Sequence, residues 1–482
     1  MTSILAMTRH ESFWWIYVAG QALGVCLVPA VLFSRRVSQS KVAWILAILG
    51  FPWLGAVLYA IFGTRRLAKR VVALRGASAA ALEPLVDQYR RVGILPPRAS
   101  PSGIAGDLLA EARHLGAAVP VPGNEFTLLA EGPEAMAAVR EAISSARHHV
   151  HLSTYIFKRD PTGERTLRLL EDVAGRGVEV RVLYDGLGTL ASVRNGGGFF
   201  DPLRRKGAKV SGFLPVGLFH GTLRGNLRNH RKLLIVDGDV AFTGGMNVGD
   251  EYATGRDWRD CHCRVRGPVV PSLQRVFASD WEFATGERLD ADAYYHRQEA
   301  RGEVPVQVIE SGPDQEDPLA DDVMFGAIAS ARRTIDIVTP YFVPPEPIEH
   351  AIRSASLRGR RVRMLLGEYV DHRVVRWATD SYLPRMIEAG VEVWRHPMMV
   401  HGKVVVVDGS WATIGSTNLD ARSLRLNFEL NVAMPHEPTA ARVTAWFEAE
   451  LAASRRLQAS DLEAHGWLRL ARAAAQLASP LL

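Results

Sequence analysis

The sequence has few cysteines and few lysines. Its 482 residues include three cysteines, Cys26, Cys261 and Cys263, which cannot build a disulfide framework across a chain of this length. This scarcity is typical of a protein whose folded part lies in a reducing compartment. The 57 basic residues include only seven lysines, so a lysine that recurs at a fixed place in the sequence is informative.

Acidic residues are nearly absent from the first 75 positions, where Glu11 accompanies nine basic residues. The rest of the chain carries 48 basic and 50 acidic side chains and is therefore close to neutral. A nucleic-acid-binding protein usually carries its basic excess on the folded domain, so this distribution disfavours a nuclease. The apolar fraction of 48% excludes a disordered chain, and the length predicts two to four domains.

Two uncharged stretches occupy residues 12–34 and 42–64. Each is long enough for a helix to cross a membrane, which takes about 20 apolar residues. Basic residues before the first stretch and after the second outnumber those between the two stretches. This favours a cytoplasmic location for both ends of the two-stretch region. We therefore predict a two-helix transmembrane hairpin over residues 1–75. The alternatives are a cleaved signal peptide, which the second stretch disfavours, and buried core helices, which the lack of polar periodicity disfavours.

Beyond this anchor the sequence repeats one pattern. Residues 76–125 are rich in Ala, Gly and Pro, which predicts a connector. Short apolar runs then alternate with helical stretches, which indicates βαβ units and mixed, parallel-rich sheets. The pattern occurs in residues 126–300 and again in residues 301–482, and Tyr155 and Tyr341 begin similar tripeptides at equivalent strand ends. The predicted fold is α/β, with two duplicated α/β/α sandwich halves after the anchor.

A motif of the form H-x-K-x₄-D occurs once in each half, followed at the same distances by a glycine and an asparagine. The equivalent residues are His230 and His401, Lys232 and Lys403, Asp237 and Asp408, Gly244 and Gly415, and Asn247 and Asn418. A single match would be a modest signal. Two copies with identical spacing indicate a duplicated site rather than surface strands with incidental histidines and lysines.

The residue types in this motif suit phosphoryl chemistry. Two residues apart on a strand, the histidine and lysine share one face, and two such faces related by pseudo-two-fold symmetry would form one pocket. A pair of imidazoles can act as nucleophile and as general acid and base. Lysine ammonium and asparagine amide groups can hold the oxygens of a phosphoryl group.

No cluster of carboxylates has the spacing of a magnesium site, so we expect the lysines to do what metal ions do elsewhere, with no metal and no cofactor. The segment Cys261-His262-Cys263 lacks a fourth ligand at usable spacing, which disfavours a zinc site.

The duplicated motif resembles that of the phospholipase D superfamily. The resemblance covers nearly the whole chain and is strongest to the bacterial cardiolipin synthases. The similar features are the paired N-terminal apolar segments, the closing Ser-Pro-Leu-Leu and segments that begin at Asn229, Gly244, Ser311, Thr339 and Gly415. It implies a multi-pass enzyme of the bacterial inner membrane that makes cardiolipin and glycerol from two phosphatidylglycerol molecules. A nucleic-acid partner is not expected, and the oligomeric state stays open.

The resemblance also implies roles for individual residues. His230 would attack the phosphorus to give a phosphatidyl-histidine, and His401 would protonate the departing glycerol and deprotonate the incoming one, although the two roles could be exchanged. Lys232 and Lys403 would be catalytic, and Asn247 and Asn418 would bind the substrate phosphate.

Each imidazole needs a carboxylate to fix its tautomer. Glu429 fits the second copy, and Asp260 is the nearest analogue in the first, two residues further from its asparagine. We expect these carboxylates to pair with the histidines across the pseudo-two-fold axis. Asp237 and Asp408 are grouped with the catalytic residues, with a structural role as the alternative.

Two other functions remain open on the sequence. Water could resolve the same intermediate, as in a phospholipase D-type hydrolase. A lipid-binding scaffold with an inactive site is disfavoured because both copies keep His, Lys and Asn.

Overall fold

The computed structural model describes residues 2–34, 38–62, 118–194, 198–214, 227–313, 315, 319–477 and 479. The chain forms two compact units, an N-terminal helical unit and a larger α/β unit. Most of the predicted connector, up to residue 117, lies outside the described residues. Its last residues, by contrast, begin the first strand of the α/β unit.

The N-terminal unit consists of α1 (Thr2–Leu32), α2 (Ser38–Gly50) and α3 (Pro52–Phe62). Within α1 the segment Trp14–Leu32 is long and apolar enough to cross a membrane, and it is the only such segment among the described residues. The apolar helix that follows is shorter, so one candidate span is found where the sequence predicted two.

The second predicted span is broken at Phe51. Pro52 opens a new helix there, because proline suits the first helical turn and disrupts a helix interior. At 1.5 Å per residue α2 and α3 are only about 20 and 16 Å long, less than the hydrocarbon core. They fold back on each other, with the rings of Trp44 and Tyr59 5.4 Å apart, and a side chain on Gly55 would collide with the Ala47 carbonyl. The two-helix transmembrane hairpin is therefore not confirmed.

The α/β unit alternates strands and helices from residue 121 onward. Its strands are β1 (Val121–Leu129), β2 (His149–Thr154), β3 (Glu179–Asp185), β4 (Lys209–Phe213), β5 (Leu233–Val236), β6 (Val240–Gly244), β7 (Trp258–Arg259), β8 (His262–Arg266), β9 (Val304–Ser311), β10 (Thr334–Val338), β11 (Phe342–Val343), β12 (Arg361–Gly367), β13 (Glu392–His396), β14 (Met399–Val400), β15 (Val404–Val407), β16 (Trp411–Gly415), β17 (Leu419–Asp420), β18 (Glu429–Met434) and β19 (Arg455–Arg456).

The helices of this unit are α4 (Gly132–Ser144), α5 (Pro161–Gly175), α6 (Leu190–Arg194), α7 (Asp201–Arg205), α8 (Asp250–Ala253), α9 (Val270–Thr285), α10 (Leu319–Ser330), α11 (Glu346–Leu357), α12 (Arg373–Glu388), α13 (Ala421–Arg425), α14 (Glu437–Ala452) and α15 (Gly466–Leu477), with 3₁₀ turns at Asp292–Tyr294 and Ala459–Leu462. Separate apolar cores form in the two halves.

The duplication is visible in the order of the strands. The first half runs β1-β8-β6-β5-β2-β3-β4 and the second runs β9-β18-β16-β15-β10-β12-β13 in the equivalent places. In each half three parallel strands adjoin an antiparallel set. The predicted α/β fold with duplicated halves and mixed strand directions is therefore confirmed.

The two halves share one continuous sheet of 15 strands, whereas the sequence suggested a sheet in each half. The join is the antiparallel pairing of β1 with β9. Buried Asn124 reinforces it, because its amide donates to the carbonyls of Val121 and Val304 and its oxygen accepts from Val269 N–H. Two of these bonds hold carbonyls of the paired strands at the bulge between Val121 and Asn124, and the third holds the N-cap residue of α9.

Candidate active site

The two H-x-K segments enter the sheet at equivalent places. His230 and Lys232 directly precede β5, and His401 and Lys403 directly precede β15. Both strands are fully buried apolar runs, so burial of these runs fixes the position of the polar residues at their start. The motifs thus begin at corresponding edges of the two halves.

Each motif is held by the backbone of the opposite half. His230 N–H donates to the Phe428 carbonyl over 2.9 Å, and His401 N–H donates to the Arg259 carbonyl over 2.6 Å. Short parallel pairings accompany these bonds, between Asn229 and Phe428 in one case and between β14 and β7 in the other. Because the residues after Phe428 and Arg259 are Glu429 and Asp260, the exchange brings a carboxylate to each histidine.

The carboxylate contacts are reciprocal. Nδ1 of His230 lies 3.1 Å from Oε2 of Glu429, and Nδ1 of His401 lies 2.6 Å from Oδ2 of Asp260. Both carboxylates are buried. An Nδ1–H that donates to a carboxylate leaves Nε2 as the nitrogen that can attack phosphorus or exchange a proton.

The carboxylates are themselves held in place. Ser416 Oγ and the Asn427 amide donate to Glu429, and Cys261 N–H donates to Asp260 over 2.7 Å. Burial acts to raise the pKa of Asp260 and of Glu429, but the partner histidine and the nearby lysine outweigh it and hold both pKa values below their usual range. Both groups are therefore ionised at neutral pH.

The histidines are neutral at the same pH. Burial lowers the pKa of His230 below its usual range despite the opposing effect of Glu429. Burial and the charge of Lys403 lower the pKa of His401 to about 4. A neutral imidazole has the free lone pair that a nucleophile or general base requires.

The lysines converge on the same space. Nζ of each donates to the carbonyl of its own motif histidine, and burial lowers the pKa of Lys232 well below its usual range and that of Lys403 to about 8. Each lysine also acts across the site, because Lys403 depresses the pKa of His230 and Lys232 that of His401. Two buried lysines beside two imidazoles form a pocket suited to a phosphoryl anion, whose negative charge favours the protonated form of each amine.

The asparagines lie in the walls of this site. Asn247 accepts from Ile156 N–H over 3.1 Å and donates to the Tyr252 hydroxyl over 2.8 Å. Asn418 is buried, and its side chain bonds to the Asp420 carboxylate, whose pKa burial raises to about 6. These contacts brace the loops around the site and leave an amide N–H available on Asn247.

Asp237 and Asp408 lie at the other end of the motif strands, where their contacts favour the structural role that the sequence left as the alternative. The Asp237 carboxylate accepts from the backbone N–H groups of residues 147–149, and Asp408 accepts from those of residues 332–334. Both adopt positive φ angles, 55° and 53°, which aspartate tolerates better than most residues. Each carboxylate therefore closes a turn and anchors the start of β2 or β10.

Several aromatic residues of the site were not predicted. The Tyr155 ring lies 4.9 Å from that of His230 at a steep angle, and the rings of Tyr252 and Trp258 lie 5.3 and 5.1 Å from that of His401. Tyr341, the counterpart of Tyr155, donates to Asp371 over 2.5 Å. The similar tripeptides that begin at Tyr155 and Tyr341 could have indicated aromatic residues at the site, because both follow a strand at the edge of the sheet that carries the motifs.

Arg231, between the motif histidine and lysine, was also missed. It is fully buried, pairs with Asp280 over 2.7 Å and Glu310 over 3.2 Å, and donates to the carbonyl of Glu429. Its guanidinium therefore ties the first motif to the second half beside the site. In an alternating strand pattern Arg231 points to the face opposite His230 and Lys232. Nothing in that pattern indicates that this side chain is buried.

No group of His, Cys, Asp and Glu suited to a metal ion occurs in the part of the chain that the structure describes. Cys261 and Cys263 are buried, and the Cys263 thiol donates to the Thr243 carbonyl. Burial raises the pKa of Cys263 to about 12 and that of Cys261 well above its usual range. Both are therefore thiols rather than the thiolates that bind metals.

Comparison with known proteins gives matches over most of the chain. The family described as cardiolipin synthase, PLD-like domain, matches residues 139–281 and 324–451, and a phospholipase D-nuclease N-terminal family matches residues 22–63. A cardiolipin synthase of Geobacillus thermodenitrificans is 35% identical over 88% of this chain and 86% of its own length. One from Geobacillus kaustophilus is 32% identical over 100% of this chain and 97% of its own.

Among solved structures, a phosphatidylserine synthase of Haemophilus influenzae matches 74% of this chain and 95% of its own, with a TM-score of 0.59 at 16% identity. At that identity the likeness concerns the fold alone.

Proposed function

The chain belongs to the cardiolipin synthase family of phospholipase D-like enzymes, and from this premise we propose that it joins two phosphatidylglycerol molecules into cardiolipin and glycerol. The observation that carries the proposal is the pair of motif histidines, His401 buried and His230 half-buried. Each is bonded through Nδ1 to a buried carboxylate of the opposite half and flanked by a buried lysine. This arrangement supplies two imidazoles that can attack phosphorus or exchange protons, and cations for the phosphoryl oxygens.

The first half-reaction forms a phosphatidyl-histidine. Nε2 of His230 attacks the phosphorus of phosphatidylglycerol, the phosphorus–oxygen bond to the headgroup glycerol breaks, and His401 donates a proton to the leaving oxygen. The negative charge of the bound phosphate raises the proton affinity of His401, so that it can carry this proton. Lys232 and Lys403 stabilise the non-bridging oxygens.

The second half-reaction reverses these events with a different alcohol. The primary hydroxyl of a second phosphatidylglycerol gives its proton to His401, its oxygen attacks the phosphorus, and the bond between phosphorus and His230 breaks. Protons and bonds balance over the two steps, and the sum is two phosphatidylglycerol molecules to one cardiolipin and one glycerol. Exclusion of water from the intermediate separates this transfer from hydrolysis.

The contacts of the two histidines support the assignment of roles. His401 makes the shorter bond, 2.6 Å to Asp260, whereas Nδ1 of His230 lies 3.1 Å from both Glu429 and the Ser416 carbonyl. A short bond to a buried carboxylate stabilises an imidazolium, and this suits the histidine that takes up and releases a proton. We therefore keep His230 as the nucleophile.

We further propose that α1 anchors the enzyme in the inner membrane with the α/β unit on the cytoplasmic side. The apolar segment Trp14–Leu32 supports the anchor. Three basic residues, Arg35, Arg36 and Lys41, follow this segment closely and only Arg9 precedes it, which supports a cytoplasmic location for the chain after the span. The lipid substrates reside in that membrane.

The test is product analysis in a defined bilayer. Purified full-length protein is incubated in phosphatidylglycerol vesicles with EDTA, beside the His230→Ala and His401→Ala variants, and the lipids are identified by mass spectrometry. Cardiolipin and glycerol from the wild type alone are expected. Phosphatidic acid as the main product would instead identify a hydrolase, and activity only after metal addition would contradict a metal-free site.

A further inference from the structure

Helix α15 presents an apolar stripe to solvent. Trp467, Leu470 and Leu477 are 68%, 73% and 85% exposed, and with Ala474 they recur at spacings of three and four residues, which places them on one face of the helix. Large apolar side chains are seldom exposed in such an alignment on a soluble surface unless they meet a partner.

The opposite face of α15 is firmly attached to the α/β unit. Arg472 donates to the Leu462 carbonyl over 2.5 Å and to Asp380 over 3.0 Å. Ala475 is buried on that side as well. At the edge of the stripe, the ring of Trp467 lies 5.9 Å from that of Trp377 on α12. The stripe is therefore held outward by a packed helix.

Exposed apolar side chains also occur on α12, which α15 contacts through Trp377, and in the loop that precedes α12. Val374, one turn before Trp377 on α12, is 46% exposed, and Tyr369 in the preceding loop is 71% exposed. That loop also carries Asp371, which accepts from Tyr341 and whose charge acts on Lys403. We call Tyr369, Val374, Trp467, Leu470 and Leu477 together the C-terminal apolar surface.

We propose that the C-terminal apolar surface docks on an anionic phospholipid bilayer and brings the rim of the active site to the lipid surface. Tryptophan and tyrosine favour the interface between headgroups and acyl chains, and leucine favours the acyl side. The exposed side chains of Arg373 and Arg469 flank the surface, and α15 contains no acidic residue. The positive charge of α15 therefore complements the lipid phosphates. The inference rests on the proposed function only in that the substrates are bilayer lipids.

Site-directed fluorescence tests the docking without turnover. Full-length protein with Cys26→Ser and Leu470→Cys is labelled with an environment-sensitive NBD dye and reconstituted in phosphatidylglycerol vesicles. Cys261 and Cys263 are buried, and the Cys26→Ser parent measures any labelling of them. Leu357→Cys is the matched control, because Leu357 is similarly exposed, at 68% against 73% for Leu470. It precedes β12, whereas the Asp371 loop follows that strand.

We expect blue-shifted emission and quenching by doxyl-labelled lipids at position 470 and neither at position 357. Emission at 470 that matches the control would overturn the proposal. A blue shift without lipid quenching would also overturn it, since protein would then cover the stripe, either a second copy or the N-terminal helical unit.

Activity gives a second, independent readout. Leu470→Glu puts a charge on the stripe without disturbing a buried contact, and it should reduce transfer on vesicles about tenfold while activity on detergent-dispersed lipid stays within about twofold. Leu357→Glu should change neither. An equal loss in both assays would overturn the docking role in favour of a structural one. Failure of the proposed function would appear separately, as wild-type protein that forms no cardiolipin in either assay.

Discussion

Asp260 lies 2.6 Å from Nδ1 of His401, although the two residues belong to different halves of the duplicated unit. Glu429 makes the reciprocal contact with His230. Each half therefore supplies a histidine and the carboxylate that contacts Nδ1 of the histidine of the other half. Neither half could form a complete site alone, so duplication and site assembly depend on the same interface.

Asp260→Asn should inactivate the enzyme without unfolding it. An asparagine amide that donates to Nδ1 would favour the wrong tautomer and would not stabilise an imidazolium, so the rate of cardiolipin formation should fall about 10³-fold. Thermal unfolding in detergent should stay within a few degrees of the wild type. Asp257→Asn, an exposed carboxylate three residues earlier, is the matched control and should retain full activity.

Asp237→Ala should have the opposite effect. The change removes a carboxylate that accepts from the N–H groups of residues 147–149 and puts alanine at a φ of 55°. It should destabilise the protein by about 2–4 kcal/mol, measured by urea unfolding in detergent. Activity per folded molecule should stay within about twofold. An inactive variant with unchanged unfolding would mean that the carboxylate acts in the reaction.

Local patterns made the strands, the duplication and the motif residues predictable from sequence. The alternation of β2, β3, β10 and β12 with helices follows from residue spacing, and so does the entry of His230 and His401 into buried strands. The pairing of each histidine with a carboxylate of the other half was harder to predict, because the paired residues are 141 and 199 positions apart in the sequence. Only the expected pseudo-two-fold symmetry suggested it.

Other features had no local signal of sufficient strength. Residues 42–64 have the length and apolarity of a span, and only Pro52 hints that the segment folds back. The continuous sheet depends on the long-range pairing of β1 with β9. The contacts of Asp237 and Asp408 depend on which backbone N–H groups approach the turn, and no spacing within the motif reveals that.

Buried His149 should make stability depend on pH. Burial and the charge of His148 lower the pKa of His149 to about 4, from an ordinary value of 6.5. The folded protein therefore binds fewer protons at this residue than the unfolded chain between those values, so His149 costs stability as the pH falls from 6.5 to 4. Relative to the wild type, His149→Gln should gain about 1.4 kcal/mol per pH unit over this range.

Urea unfolding of both proteins at several pH values measures that difference. A substitution that only weakens packing would give parallel stability curves, and parallel curves would contradict the prediction. Above pH 6.5 the two curves should run parallel in any case, because His149 is then neutral in both states.

The assignment of His230 as nucleophile can be tested with a donor that needs no acid catalysis. A phosphatidyl ester of p-nitrophenol releases a leaving group that departs without protonation, so His401→Ala should still form the phosphatidyl enzyme. Without a base to activate the acceptor hydroxyl the intermediate should persist. We expect a burst of p-nitrophenolate close to one equivalent, followed by slow turnover, and a phosphatidyl group on His230 in peptides analysed at alkaline pH.

His230→Ala should give no burst, because His401 is held by Asp260 as the acid and base. A burst from His230→Ala, with the group on His401, would exchange the two roles and leave the overall reaction unchanged.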